Sequence, residues 1–264
     1  MRIQKRHFIT AIAAACTLCA VGAAQAQNAL DDVLKAKLIK IAIPTDFPPY
    51  GFVGNDMAPQ GLDIDTARYI AGKLGVKVEL VPVTTANRIP YLQTKKVDLV
   101  ISTLGKNAER EKVIDFSVAY SPFFIGVFGP KTVVLKTPAD LAGKSIGVTR
   151  GSVDDMELTK VAPAAAELRR FEDNTSTISA YVAGQTQLVA TSAQVASTMM
   201  TKNPQMGTEF KFVLKDSPNF VGLAKGEDTL RAKVNEILLA AKKGGELDKM
   251  AVKWLGRPTG DLPE

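Results

Sequence analysis

Apolar residues along this chain recur at two alternating periods. Short buried-strand runs at residues 38–44, 76–83 and 98–103 are separated by stretches, over 62–74 and 87–95, where apolar positions return every three or four residues. In 62–74, Leu62, Ala67, Ile70, Ala71 and Leu74 make one stripe, and Gly75 stands where a helix end favours glycine. A short extended link leads to a strand over 123–128. The pattern then restarts with strand 133–136, a short helix at 138–141, strand 145–149 and a helix from Ser152. Strand 168–171, helix 175–183, strand 188–191 and helix 193–200 follow. Strand 211–214, an apolar segment at 220–224 and helices over 228–241 and 246–254 close the chain. Strand and helix in regular alternation predict α/β architecture.

The restart predicts two lobes rather than one sheet. The last third is too short for a third domain, so it is expected to return to the first lobe. Crossings near 120–126 and 216–222 would make a hinged pair with a ligand cleft between the lobes. The expected organisation is a leader over 1–26, a first lobe from 27–121 and 222–264, and a second lobe over 122–221. No internal repeat or low-complexity run interrupts it.

Residues 98–117 concentrate the candidate chemistry. A buried run, Leu99-Val100-Ile101, ends in Ser102, Thr103 and Gly105, and Arg110 follows about two helical turns later. Open α/β sheets place ligands at the carboxyl ends of their strands, and a guanidinium matches a carboxylate with two parallel hydrogen bonds. The plain alternative is a surface arginine paired with Glu109 or Glu111.

The amino terminus changes what the composition means. Arg2, Lys5 and Arg6 precede an apolar stretch over 8–21, and Ala24-Gln25-Ala26 has the small-x-small pattern of a secretory cleavage site. The stretch is shorter than the roughly 20 residues a membrane span needs. Cleavage would remove His7, Cys16 and Cys19, the chain's only histidine and cysteines, which excludes Ser-His-Asp and Cys-His catalysis, disulfides, and thiolate or imidazole metal sites. Three cations and no acid leave with it, so the formal charge falls from +6 to +3. With no basic cluster interleaved with aromatics, nucleic acid is not the expected partner. An exported monomer without a cofactor or metal, holding a small carboxylated solute, is expected.

Seven segments in register resemble the periplasmic solute-binding proteins that feed amino-acid ABC importers, the type II periplasmic-binding-protein fold. They are Pro44 to Tyr50, Gly61 to Asp65, Ile89 to Gln93, Asp98 to Ser117, Leu141 to Val148, Gly151-Ser152 and Trp254-Leu255-Gly256. The resemblance implies that Phe47 stacks on the ligand, that Ser102, Thr103 and Gly105 bind it, and that Arg110 clamps its α-carboxylate. Ser152 and the backbone N–H of Val153 would contribute from the second lobe, at a helix N-terminus. The segment Thr85 to Pro90 is similar to glutamate and aspartate binders, in which Thr85 and Arg88 would meet a side-chain carboxylate; otherwise Arg88 packs along its lobe.

One departure opens the ligand class. Where the family commonly places an aspartate for the ligand's α-ammonium, this chain has Ser192, so either another acid such as Asp46 compensates or the ligand is a dicarboxylate or other organic acid. Asn174 is polar enough for either. Delivery to a membrane permease from the periplasm is the implied role. A lyase of the same fold, such as a cyclohexadienyl dehydratase with Asp46 as acid or base, is the rival. Gly143-Lys144-Ser145 reads as a helix-to-strand turn rather than a P-loop, because Pro138 replaces the first glycine. Asp63, Asp65, Asp154 and Asp155 read as first-turn helix acids.

Overall fold

The computed structural model describes residues 28–263; the expected leader, with His7, Cys16 and Cys19, lies outside the described residues. In chain order the elements are α1 (Ala29–Ala36), β1 (Leu38–Ile43), β2 (Asp46–Phe47), β3 (Gly51–Val53), β4 (Pro59–Gln60), α2 (Leu62–Leu74), β5 (Lys77–Pro82) and α3 (Arg88–Gln93). Then come β6 (Leu99–Gly105), α4 (Ala108–Glu111), β7 (Ile114–Ser121), β8 (Phe124–Pro130), β9 (Ser145–Thr149), α5 (Val153–Val161), β10 (Glu167–Phe171) and α6 (Asn174–Val182). The last are β11 (Leu188–Ser192), α7 (Ala193–Lys202), β12 (Thr208–Asp216), β13 (Asn219–Ala224), α8 (Asp228–Lys243) and α9 (Glu246–Leu255).

Two five-stranded sheets carry the molecule, in the orders β5-β1-β6-β13-β7 and β10-β9-β11-β8-β12. In each, four strands run the same way and one, β13 in the first sheet and β8 in the second, runs antiparallel between its neighbours. The chain passes between sheets twice, from β7 to β8 and from β12 to β13, and these links are short. A three-stranded sheet of β2, β3 and β4 caps the first lobe.

Each lobe has its own apolar core. The first packs Ile39, Ile41 and Ile43 of β1 against Ile64, Ala67 and Ile70 of α2 and Val234 and Leu238 of α8. The 3.6-residue stripe of α2 is what lets it lie on the alternating face of β1. Gly75 takes φ 68° as the left-handed C-cap of α2, a conformation open to glycine at no steric cost. In the second lobe Val127, Ile146, Val148, Leu158 and Leu188 form the corresponding core.

Several elements depart from the sequence expectation. Residues 133–136 are irregular rather than a strand, because the chain folds back after β8 through a turn at 131–132, with Val133 N–H donating to Pro130 O, and leaves Val134 76% exposed. Residues 114–121, expected as a link, are an eight-residue strand held by its antiparallel partner β13. Asn219 and Phe220, expected in the second lobe, pair with Gly105, Leu104, Ser121 and Ala119 of the first sheet.

Ile41 is fully buried between sheet and helices. We predict that Ile41→Ala costs about 2–5 kcal/mol, read as a lower urea midpoint for the first lobe's unfolding. A loss under about 1 kcal/mol would place the core elsewhere.

Candidate functional site

In both sheets the parallel strands end at the interface between the lobes. β6 therefore delivers Ser102, Thr103 and Gly105 to that interface, and β9 and β10 deliver the N-termini of α5 and α6 opposite them. Helix N-termini present N–H groups without intrahelical acceptors, which gives the cleft a positive bias.

Two arginines from the first lobe add full charges. Arg88 is 4% exposed, donating Nε–H to Thr85 O at 2.9 Å and Nη1–H to Ser102 O and Thr103 O at 2.8 and 3.1 Å. Arg110 is 5% exposed and spans the lobes, donating to Gly105 O at 2.6 Å and to Gly151 O at 3.0 Å. Burial lowers both guanidinium pKa values, Arg88 to about 10 and Arg110, with Arg88's like charge adding to the effect, to about 9; both stay charged at neutral pH.

Three acids face these cations, and each is held differently. Asp46 of the first lobe accepts the Asn174 N–H at 2.8 Å and Nδ2–H at 3.1 Å, a contact across the cleft. Asn174 Oδ1 in turn accepts the Thr149 hydroxyl at 3.0 Å. Asp63, in the first turn of α2, accepts the Thr103 N–H and the Tyr120 hydroxyl, both at 2.8 Å. That grip holds Thr103 at φ 44°, bending the end of β6 into the cleft. Burial raises the Asp63 pKa from 3.8 to about 7 against the pull of those two hydrogen bonds. Asp154, in the first turn of α5, is raised to about 6, again by burial, opposed by the Ser152 hydroxyl and by both arginines.

Aromatic packing closes the floor. Phe47 stacks on Tyr50 with ring centres 5.8 Å apart, and Tyr50 meets Phe123 edge-on at 5.4 Å. The Tyr50 hydroxyl donates to Gln194 Oε1 at 3.1 Å in the second lobe. Val153 and Val195 pack against the same aromatic group.

The structure thus brings Phe47, Thr85, Arg88, Ser102, Thr103, Gly105, Arg110 and Val153 to one interface, with Asp46 and Asn174 bridging it. Two expected hydroxyls are spent on helix caps: Ser152 Oγ accepts the Asp155 N–H and Ser192 Oγ the Val195 N–H. Asp63 and Asp154 do lie in first helical turns as read from sequence, but their burial between the lobes is not legible there. Their apolar neighbours, Leu62, Ile64 and Val153, were the only hint.

The chain matches the bacterial extracellular solute-binding proteins, family 3, over residues 39–257. It belongs to that family. It is 25% identical over 232 residues to the L-cystine-binding protein TcyJ of Escherichia coli (strain K12), with 87% of each chain covered. An ancestral arginine-binding protein bound to arginine superposes with TM-score 0.79 at 33% identity, covering 83% of this chain and 99% of that one. The ancestral amino acid-binding protein AncCDT-1, a precursor of cyclohexadienyl dehydratase, gives TM-score 0.78 at 30% identity, covering 85% and 98%. The two-lobed α/β architecture is that of the type II periplasmic binding proteins.

Two predictions follow from the geometry of this family member's cleft. A Cβ on Gly105 would stand 2.6 Å from Ser217 Oγ and 2.8 Å from Val153 Cγ2, so we predict that Gly105→Ala props the lobes apart. Small-angle scattering should show a larger radius of gyration than wild type with saturating ligand; equal radii would refute the obstruction. Folding raises the Asp63 pKa from 3.8 to about 7, so this group's contribution to stability is complete below about pH 4 and is lost as pH rises through 7. Asp63→Asn should flatten a slope of up to about 1.4 kcal/mol per pH unit in urea unfolding across that window. An unchanged slope would mean that other groups set it.

Proposed function

We propose that this protein captures an amino acid in the periplasm and hands it to the membrane permease of an ABC importer. Arg110 carries the reading. It is buried and charged, touches a carbonyl in each lobe, and reaches Gly151, just before α5, only when the lobes are together. A planar guanidinium beside unpaired helix N–H groups receives a carboxylate, and closure completes the receptor. Family membership and the amino-acid-binding relatives support the importer role. Among the described residues no helix is long and apolar enough to cross a membrane.

The charge balance bears on the side chain. Arg88 and Arg110 are balanced by Asp46 of their own lobe and Asp154 of the other, so a zwitterion with a neutral side chain leaves the balance undisturbed, whereas a dicarboxylate adds a buried negative charge. Glutamate or aspartate is the second reading. It is favoured by Arg88 Nη2, the one nitrogen of that guanidinium with no carbonyl acceptor, which would take the second carboxylate.

Thermal unfolding of ligand-stripped protein with L-cystine, L-glutamine, L-arginine, L-glutamate or succinate tests these readings. A ligand at 100 times its Kd adds about 2.7 kcal/mol, roughly 5–10 °C at this size. We predict a shift with a neutral amino acid, its loss for every ligand in Arg110→Ala, and equal losses for neutral and acidic ligands in Arg88→Ala. Selective loss of glutamate in Arg88→Ala would establish the acidic reading instead. Since one structural neighbour is described as a dehydratase precursor, prephenate and arogenate are incubated in parallel. Product formation would replace the transport reading with a lyase.

A further inference from the structure

We propose that the Asp154 carboxylate receives the α-ammonium of the bound amino acid; the inference rests on the amino-acid reading above. Asp154 is 6% exposed, and its Oδ1 is wholly buried with no hydrogen-bond donor. A buried carboxylate oxygen left without a donor is costly, and native structures rarely keep one without a use. Arg88 and Arg110 act on it through space, but neither donates to it: their hydrogen bonds go to Thr85, Ser102, Thr103, Gly105 and Gly151 carbonyls. The missing partner is therefore a cation that arrives with the ligand.

The other acids near the cleft are already engaged. Asp46 is held by Asn174, through backbone and side chain. Asp63 holds the Thr103 N–H and the Tyr120 hydroxyl. Asp155 accepts the Gly151 N–H at 3.0 Å and pairs with Arg170 at 2.7 Å. Ser192, at the end of β11, has no charge to offer, and its hydroxyl caps α7.

Position agrees with this assignment. The α-carboxylate and α-ammonium of an amino acid share one carbon, so the acid that meets the ammonium must lie beside the arginine that meets the carboxylate. Asp154 satisfies this because it sits three residues after Gly151, whose carbonyl Arg110 grips. Both poles of the ligand would then be read at the first turn of α5, the carboxylate by Arg110 and the Val153 N–H, and the ammonium by Asp154. Lobe closure would assemble both contacts in one motion.

The test measures affinity by titration calorimetry for three matched pairs: L-glutamine and its deaminated acid 4-carbamoylbutanoate, L-glutamate and glutarate, and L-arginine and 5-guanidinopentanoate. Wild type should prefer the amine-bearing member of at least one pair. In Asp154→Asn that preference should fall by roughly 100-fold or more, as expected when a buried ion pair loses one member. Asp46→Asn should weaken both members alike, because it loosens closure and not ammonium recognition. Asp154→Ser is measured in parallel, and unfolding curves of both Asp154 variants without ligand establish that they fold. Equal weakening of both members in the Asp154 variants would overturn the inference and leave the residue as a counter-charge for the arginines. A wild-type preference for the deaminated acids would also overturn it, while keeping the carboxylate receptor. Binding of no amino acid in this panel or among those of the thermal screen would overturn the proposed function itself.

Discussion

Two guanidiniums buried between two lobes are the constraint around which this molecule is organised. A charge withdrawn from water must be met by dipoles or by opposite charge, and here both are supplied from elements distant in sequence. Arg88 takes carbonyls from Thr85 and from the end of β6, and Arg110 takes one carbonyl from each lobe. Arg88 finds its carbonyls within the first lobe, whereas Arg110 needs the Gly151 carbonyl of the second. Arg110 thus couples the formation of the cleft to its closing.

The acids complete the same scheme with a division of labour. Asp63 shapes the backbone, since its hold on the Thr103 N–H keeps a non-glycine residue in the left-handed region and turns the end of β6 toward the cleft. Asp46 joins the lobes through Asn174. Asp154 is left with an oxygen unserved. Around this polar centre, Phe47, Tyr50 and Phe123 form an apolar floor that excludes water, which strengthens each of those electrostatic contacts.

Much of the scaffold could be read from the chain. The stripe in α2 and its terminal Gly75, the strand before Ser102, and the restart of the β–α pattern after β8 each report local physics: periodicity, capping and burial. Residues 114–121 and 133–136 were misread in opposite directions. Both are moderately apolar, and what separates them is whether a partner strand lies alongside. β13 arrives from more than a hundred residues away to pair with the first, and no strand pairs with the second. Of the site residues, Arg110, Ser102, Thr103 and Gly105 were legible because strand end, glycine and arginine fall within nine residues. Ser152 and Ser192 looked like ligand hydroxyls, but a serine before a helix is equally a cap, and capping takes their side-chain acceptors.

Fold class, family and an arginine just past a strand end could be read from the chain alone, because all three are written in short-range pattern. Which acid balances which cation was decided only by the tertiary structure. Asp46, Asp63, Asp154 and Asp155 are indistinguishable as letters in a chain, each near a helix or strand terminus. Burial and hydrogen-bond geometry set them apart, giving one to Asn174, one to Thr103 and Tyr120 and one to Arg170, and leaving one Asp154 oxygen without a donor. Those partners come together only when two sheets meet across two short hinges, and no local pattern encodes that meeting.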